Sequence, residues 1–269
     1  MMDGVSDFDA VLFDAGGVLL LPAPREVRRI LEPFGATADD DALIRAHFAA
    51  AHAMDRARAD GDQAEWSAYH RSYARSAGVD PGREAAAVGA MLVQLGHAVW
   101  YHPMPGARDA LAALSARGVP IGIVSNAAGQ VEGELARQGI CARVGHLHDA
   151  TGRDAGPAVV LDPAPDAGRV PPPDDAPEPV PVACVVDSHV VGVAKPDPRI
   201  FEPALEALGL PASPRVAYVG DTVFYDVRAA AAAGLTPLLH DPFGFHAADP
   251  HPSGPHRTLP GLDALHALV

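Results

Sequence analysis

The stretch VLFDAGGVLL (residues 11–20) decides the fold. Its apolar run ends in Asp14, a Gly pair follows, and the chain turns apolar again at Val18. A short run without polar alternation reads as a strand buried on both faces. It delivers one acid to a tight turn. Four further runs repeat the pattern: IGIV (121–124) before Ser125, CVV (184–186) before Asp187, VAYV (216–219) before Gly220 and TPLL (236–239) before His240. Helical stretches such as GARDALAALSARG (106–118) and DVRAAAAAG (226–234) separate most of them, and Gly closes both. Strands alternating with helices predict an α/β fold with a parallel sheet and right-handed crossovers. Sites in such sheets lie beyond the carboxyl ends of the strands, so Asp14, Ser125 and Asp221 are expected to converge.

The 269 residues, 48% of them hydrophobic, supply enough material for one large or two modest domains. A formal net charge of −14, with no Lys/Arg cluster to offset it, argues against a nucleic-acid partner or an anionic membrane surface. A small molecule is the expected partner. The N-terminal residues MMDGVSDFDA lack the basic and apolar segments of a leader, and no apolar run approaches membrane-spanning length, so a cytoplasmic location is expected. Cys141 and Cys184 are the only cysteines, too few for a disulfide framework or a thiolate metal site. Two buried thiols are the expectation.

Between residues 25 and 100 the pattern changes. DDDALIRAHFAAAHAMDRARA (39–59), QAEWSAYHRSYARSAG (63–78) and REAAAVGAMLVQLGHAV (83–99) all read as helices, with no strand among them. Trp66, Tyr69 and Tyr73 are spaced as an apolar helix face. Residues 145–183, rich in Pro, Asp and Ala, have little to bury and are expected to form an exposed loop. His146, His148 and Asp149, and likewise His240, His246, His251 and His256, are read as scattered histidines and an acid rather than metal centres.

Arg supplies nearly all the positive charge, and Lys195 is the only lysine. A lone Lys among arginines marks a position that wants a compact point charge rather than a planar fork. Four pieces then stand in order: Asp14, Ser125, Lys195 in GVAKPDPRIF (192–201), and GDTVFYD (220–226) with Asp221 and Asp226. In this order, on these elements, the chain resembles the haloacid dehalogenase superfamily of hydrolases. The resemblance implies a Rossmann-like core (residues 1–24 and 101–269, interrupted by the 145–183 loop) with a small helical cap at residues 25–100. It implies that Asp14 is a nucleophile forming an aspartyl-phosphate and that Ser125, with Asn126, binds the phosphoryl oxygens. Lys195 would neutralise nucleophile and phosphate, Asp14, Asp221 and the Gly16 carbonyl would hold Mg²⁺, and Asp226 would play a supporting part. Two carboxylates at one sheet edge would repel without a cation between them, and oxygen-only ligands suit Mg²⁺. Asp226 is equally placed to cap the helix after it.

Phosphatases of this family usually carry a second Asp two residues after the nucleophile, as general acid; here that position is Gly16. A side chain in that role contributes about 10²–10⁴ in rate. Three readings follow. The first is a Mg²⁺-dependent phosphatase or phosphotransferase for small phosphorylated metabolites whose leaving group needs little help, such as anomeric sugar or acyl phosphates. The second is a 2-haloacid dehalogenase, whose halide needs no proton, although DAGG and Asp221 depart from the dehalogenase pattern. The third is a binding protein with residual activity. Arg28, Arg29, Arg56, Arg58 and His52 are the candidate cap residues facing the site, where an Arg would grip a second anionic group or else lie solvated on a helix surface.

Overall fold

The all-buried strand patterns set the architecture. The computed structural model describes residues 7–59, 65–143, 177–248 and 256–268. The strands among the described residues are β1 (Ala10–Phe13), β2 (Leu20–Pro22), β3 (Trp100–Pro103), β4 (Ile121–Ser125), β5 (Cys141–Arg143), β6 (Val180–Val182), β7 (Cys184–Asp187), β8 (Val216–Gly220), β9 (Thr236–His240) and β10 (Arg257–Leu259). Six form one sheet in the order β10-β9-β8-β1-β4-β7, parallel throughout. The chain runs from β1 to β4 on one side, later returning to β8 on the other, which makes β1 the point where the direction of winding reverses. Asp14, directly after β1, therefore sits in the crevice where open α/β sheets bind ligands.

Both faces of this sheet are covered. Val11 and Phe13 pack with Leu111, Leu114 and Leu135 on one side. Ala10 and Leu12 pack with Ile200, Phe201 and Leu205 on the other. Gly122 in β4 is required by this closeness: a Cβ there would lie 2.7 Å from Leu12 and 2.8 Å from the Cys184 sulfur. Cys141 and Cys184 are free and buried, as expected.

The helices inserted after β2 are α1 (Pro24–Leu31), α2 (Asp40–Ala59), α3 (Glu65–Ser76) and α4 (Glu84–Gln94). They form a helical cap with a core of its own, built on Leu43, Met54, Tyr69, Tyr73 and Met91. The cap is joined to the sheet through β2 and β3, which pair antiparallel at its base.

Two expectations need correction. Residues 144–176 lie outside the described part, but the end of the Pro-rich stretch is not loop: Val180–Val182 pairs parallel with Cys141–Arg143. Val180 and Val182 are buried while Pro181 faces out, the position in which an edge strand tolerates a residue without an N–H. Asp226 does not cap the following helix, Arg228–Ala232, whose N-terminus has no side-chain cap. Its oxygens are engaged elsewhere.

Candidate active site

The residues at the ends of β1, β4 and β8 contribute to one constellation. Asp14 leaves β1 with its N–H on the Val219 carbonyl (2.8 Å), and its Oδ1 accepts the next backbone N–H, from Ala15, at 2.7 Å. Its Oδ2 is 2.7 Å from Lys195 Nζ. The same ammonium lies 2.7 Å from Asp226 Oδ1 and donates to the Tyr218 hydroxyl, also at 2.7 Å. All three donor directions of a compact ammonium are thus taken, which a guanidinium fork could not reproduce. Tyr218 Oη in turn donates to the Val124 carbonyl at 2.9 Å. Asp226 is fixed by the Thr222 N–H and hydroxyl, at 2.9 and 2.5 Å, across a π-helical turn at Val223–Val227.

Asp14, Asp221 and Asp226 bring carboxylate oxygens within 4.8 Å of one another, and all three are buried. Among the described residues they are the one cluster suited to a metal ion; His240, His246 and His256 are not in it, and His146, His148, Asp149 and His251 lie outside the described residues. The electrostatics fit a hard divalent cation. Burial, then repulsion from Asp226 and Asp221, pushes the Asp14 carboxyl up to about 7 against the pull of Lys195. Burial works against the Lys195 charge, yet Asp14 and Asp226 together hold its pKa above the ordinary value. Three carboxylates face one ammonium, leaving a buried negative excess that a divalent cation on oxygen ligands would cancel. Gly17 makes room for this: with φ at +71°, a Cβ there would fall 2.1 Å from Asp221 Oδ2.

Ser125, Asn126 and Gly16 line the same cavity, which opens over Asp14 with a volume of about 660 Å³. The Asn126 side chain is committed to the Lys195 backbone, accepting its N–H at 2.8 Å and donating to its carbonyl at 3.0 Å. It aims the lysine rather than reaching outward. No arginine lines the cavity among the described residues, which corrects the expectation for Arg28, Arg29, Arg56, Arg58 and His52. Arg28 instead pairs with Asp40, Arg29 bonds Glu26, Arg58 stacks on Phe224, and His52 stacks near Phe245.

Four contributions of the cap were not read from the sequence. His47 on α2 reaches the core, its Nε2 3.2 Å from Asp221 Oδ2 and its Nδ1 2.9 Å from the Tyr69 hydroxyl. Trp100 lays its ring against Gly16, so that a Cβ there would meet it at 3.3 Å. Trp66 is 46% exposed at the cavity rather than packed in the helix core with Tyr69 and Tyr73. Asp55, also on α2, accepts the N–H groups of Val223 (2.7 Å) and Phe224 (2.8 Å), tying the cap to the loop that carries Asp221. The acids at positions 14, 221 and 226 were legible because each follows a strand or closes the next turn. An Asp or His inside an ordinary amphipathic helix carries no such signal.

Asp14, Ser125, Lys195, Asp221 and Asp226 all fall within the part of the chain that matches a known family. A profile of haloacid dehalogenase-like hydrolases matches residues 8–167 and 179–234. The chain belongs to the haloacid dehalogenase-like hydrolase family. The fold agrees: the HAD hydrolase YfnB of Bacillus subtilis, solved with magnesium, superposes with a TM-score of 0.54 at 16% identity, covering 97% of this chain and 98% of that one. A Had-superfamily hydrolase from Ehrlichia chaffeensis gives 0.52 at 14% identity over 98% and 97% of the two chains. Over 85 residues the sequence is 38% identical to the pyrimidine 5'-nucleotidase YjjG of Escherichia coli (strain K12), a match covering 32% of this chain and 37% of that relative. The chain is thus an enzyme of a hydrolase family, and no helix among its described residues is long and apolar enough to cross a membrane.

Asp55 provides a test of the cap contact. Burial pushes its carboxyl up to about 7, against the two backbone N–H bonds, with Asp221 and Asp226 adding repulsion; His246 Nε2 lies 3.7 Å away. A raised folded-state pKa contributes stability that is fully present below the unfolded value near 3.8 and is lost as pH rises through about 7. The metal-free wild type is therefore expected to lose stability relative to Asp55→Asn between pH 4 and 8, by at most on the order of 4 kcal/mol. Denaturant unfolding of both proteins across that range measures the difference, and a pH-independent gap would contradict the assignment.

Proposed function

We propose that this HAD-family enzyme is a Mg²⁺-dependent phosphatase for a small phosphorylated metabolite, working through an aspartyl-phosphate on Asp14. In this reading residues 25–100 act as a cap over a core of residues 1–24 and 101–269. The observation that carries it is the pairing of Asp14 with Lys195 beside two further buried carboxylates. A halide-displacing enzyme would have no task for Asp221 and its repulsion. A binding protein would have no reason to keep a carboxyl of such raised basicity at the floor of a cavity. The partial likeness to a nucleotidase also favours a phosphomonoester.

Asp14, Asp221 and the Gly16 carbonyl would hold the metal, which when bound supplies positive charge against the phosphoryl oxygens. Ser125 and the Asn126 backbone hold the remaining oxygens. Lys195, aimed by Asp226, Tyr218 and the Asn126 side chain, neutralises charge that grows between nucleophile and phosphate. Asp14 then attacks phosphorus in line, the bond to the leaving oxygen breaks, and water later splits the acyl-phosphate to release inorganic phosphate.

Phosphate release from an aryl phosphate, with and without Mg²⁺, run beside halide release from 2-chloropropionate, tests the reading. Mg²⁺-dependent phosphate release is expected; metal-independent halide release would replace this function with dehalogenation. The position of Trp100 adds a prediction about the missing acid. Gly16→Asp alone is expected to bring none of the roughly 10²-fold gain on alkyl phosphates that a positioned general acid supplies. The indole already crowds the Cβ that Asp would bring, at 3.3 Å, so a gain should require Trp100→Ala in the same protein. Rates of the single and double variants on an alkyl phosphate decide this.

A further inference from the structure

The cavity over Asp14 is lined by two unlike sets of groups. One is Asp14, Lys195, Asp221 and Ser125; the other is the aromatic and aliphatic set of Trp66, Tyr69, Trp100, Tyr225, Met54 and Leu92. Trp66 and Leu92 are 46% and 53% exposed, large apolar groups kept at the rim of a cleft rather than in a core. Such exposure marks a surface that a ligand covers. Lys195 is the one Lys or Arg side chain lining the cavity among the described residues, and Asp14 and Asp226 already claim it. No other Lys or Arg in these walls would compensate a second anion on the substrate, which would find only neutral donors such as Gln130 and Ser188, and Glu134, which also lines the cavity, would repel one.

Two further features bear on the leaving group. The Trp100 ring lies against Gly16, on the side where a general acid would otherwise stand, so no carboxyl reaches the leaving oxygen from that position. An alkoxide departing unprotonated is a base comparable to hydroxide, whereas a phenolate, whose conjugate acid has a pKa of about 10, is a far weaker base and leaves without help. His70, 5% exposed, lines the cavity beside Trp66 and Tyr69, with a backbone hydrogen bond to Trp66. Burial lowers its pKa to about 4, so it is a neutral ring offering one hydrogen bond and no charge.

Resting on the phosphatase reading above, we propose that the substrate is an aryl phosphate monoester: an uncharged aromatic ring, carrying a polar substituent within reach of His70, esterified through a phenolic oxygen. The ring lies between Trp66 and Trp100 with the phosphoryl group at Asp14. Asp14 Oδ attacks phosphorus as the P–O(aryl) bond breaks, and its electron pair leaves on the phenolate, which takes a proton from solvent. Water then attacks phosphorus, the P–O(Asp14) bond breaks, its pair returns to the carboxylate, and the water's protons depart with inorganic phosphate. Sugar phosphates fit poorly, because their hydroxyls would be desolvated against apolar walls.

The test compares kcat/KM of the Mg²⁺-loaded enzyme on 2-naphthyl phosphate, phenyl phosphate, 4-carboxyphenyl phosphate, glucose 1-phosphate and acetyl phosphate, in wild type and Trp66→Ala. The expected ranking puts 2-naphthyl phosphate about 100-fold above glucose 1-phosphate, and 4-carboxyphenyl phosphate about 10-fold below phenyl phosphate despite its better leaving group. Trp66→Ala, half-exposed and so tolerated by the fold, should raise KM for the naphthyl ester by about 10-fold and KM for acetyl phosphate, which has no ring to cover, by less than about 3-fold. Mg²⁺-dependent turnover with glucose 1-phosphate or acetyl phosphate preferred, or a Trp66→Ala effect equal on every probe, would overturn the aryl assignment and leave the phosphatase reading standing. Absence of phosphate release from all five would overturn the phosphatase reading and this inference with it.

Discussion

Asp14→Asn is expected to lower kcat by about 10⁴-fold or more while leaving the protein folded, because the amide keeps the shape of the carboxylate and removes the nucleophile. The stability side of this expectation is as specific as the kinetic side. Asp14 is buried beside Asp221 and Asp226, and its carboxyl is pushed up to about 7, so in the metal-free protein at neutral pH it costs stability to keep it charged. Removing that charge relieves the repulsion but also takes one partner from Lys195, which retains Asp226 and Tyr218. The two effects oppose each other, and the melting temperature should move by only a few degrees, as for a change of about 1 kcal/mol. Turnover and thermal unfolding measured on the same sample separate the two predictions. An inactive variant that had simply unfolded would say nothing about the nucleophile, and a folded variant of undiminished activity would remove Asp14 from the chemistry.

Lys195→Met should have the larger effect on the fold. It deletes the only ammonium among three buried carboxylates and leaves the Tyr218 hydroxyl without its donor. Breaking a buried pair by removing one partner costs about 3–5 kcal/mol, since the remaining charge is uncompensated. Activity is expected to vanish with it. The loss should shrink on acidification, because the orphaned carboxyls then take up protons, and should shrink again when Mg²⁺ is added. Lys195→Arg keeps the charge but not the shape: a planar fork cannot meet Asp14, Asp226 and Tyr218 in the directions one ammonium serves. Urea unfolding of both variants at two pH values, with and without Mg²⁺, checks the whole set. Equal stability of wild type and Lys195→Met would contradict the electrostatic account.

The strands that build the site were legible for a simple reason. β1, β4, β7, β8 and β9 are covered on both faces or nearly so, and their apolar runs stop where the sheet ends. Asp14, Asp221 and Lys195 were legible because a charged residue at such a stop, or a lone lysine in an arginine-rich chain, is out of keeping with its neighbours. β10 and β6 were not: Arg257–Leu259 buries only its last residue, and Val180–Val182 carries a proline. The cap contacts were hidden for another reason. His47 and Asp55 lie two turns apart on α2, and nothing along the helix distinguishes the face that meets Asp221 and Val223 from one that meets solvent. Tyr218 shows the same limit, since a tyrosine within a buried strand reads as core until its hydroxyl is found on Lys195. Trp100 illustrates it most clearly. That Gly16 lacks a carboxyl is visible in the sequence, whereas the indole lying against it belongs to β3, which the chain reaches only after all the cap helices.

In the proposed mechanism phosphate passes through a covalent bond to Asp14. The most direct measurement is mass spectrometry of the enzyme quenched in acid within the first turnover of an aryl phosphate in the presence of Mg²⁺, followed by peptide mapping. A gain of one phosphoryl group on the peptide containing Asp14, absent from Asp14→Asn, is the predicted result. Phosphate released in that first turnover with no labelled Asp14, or a label on another residue, would contradict it.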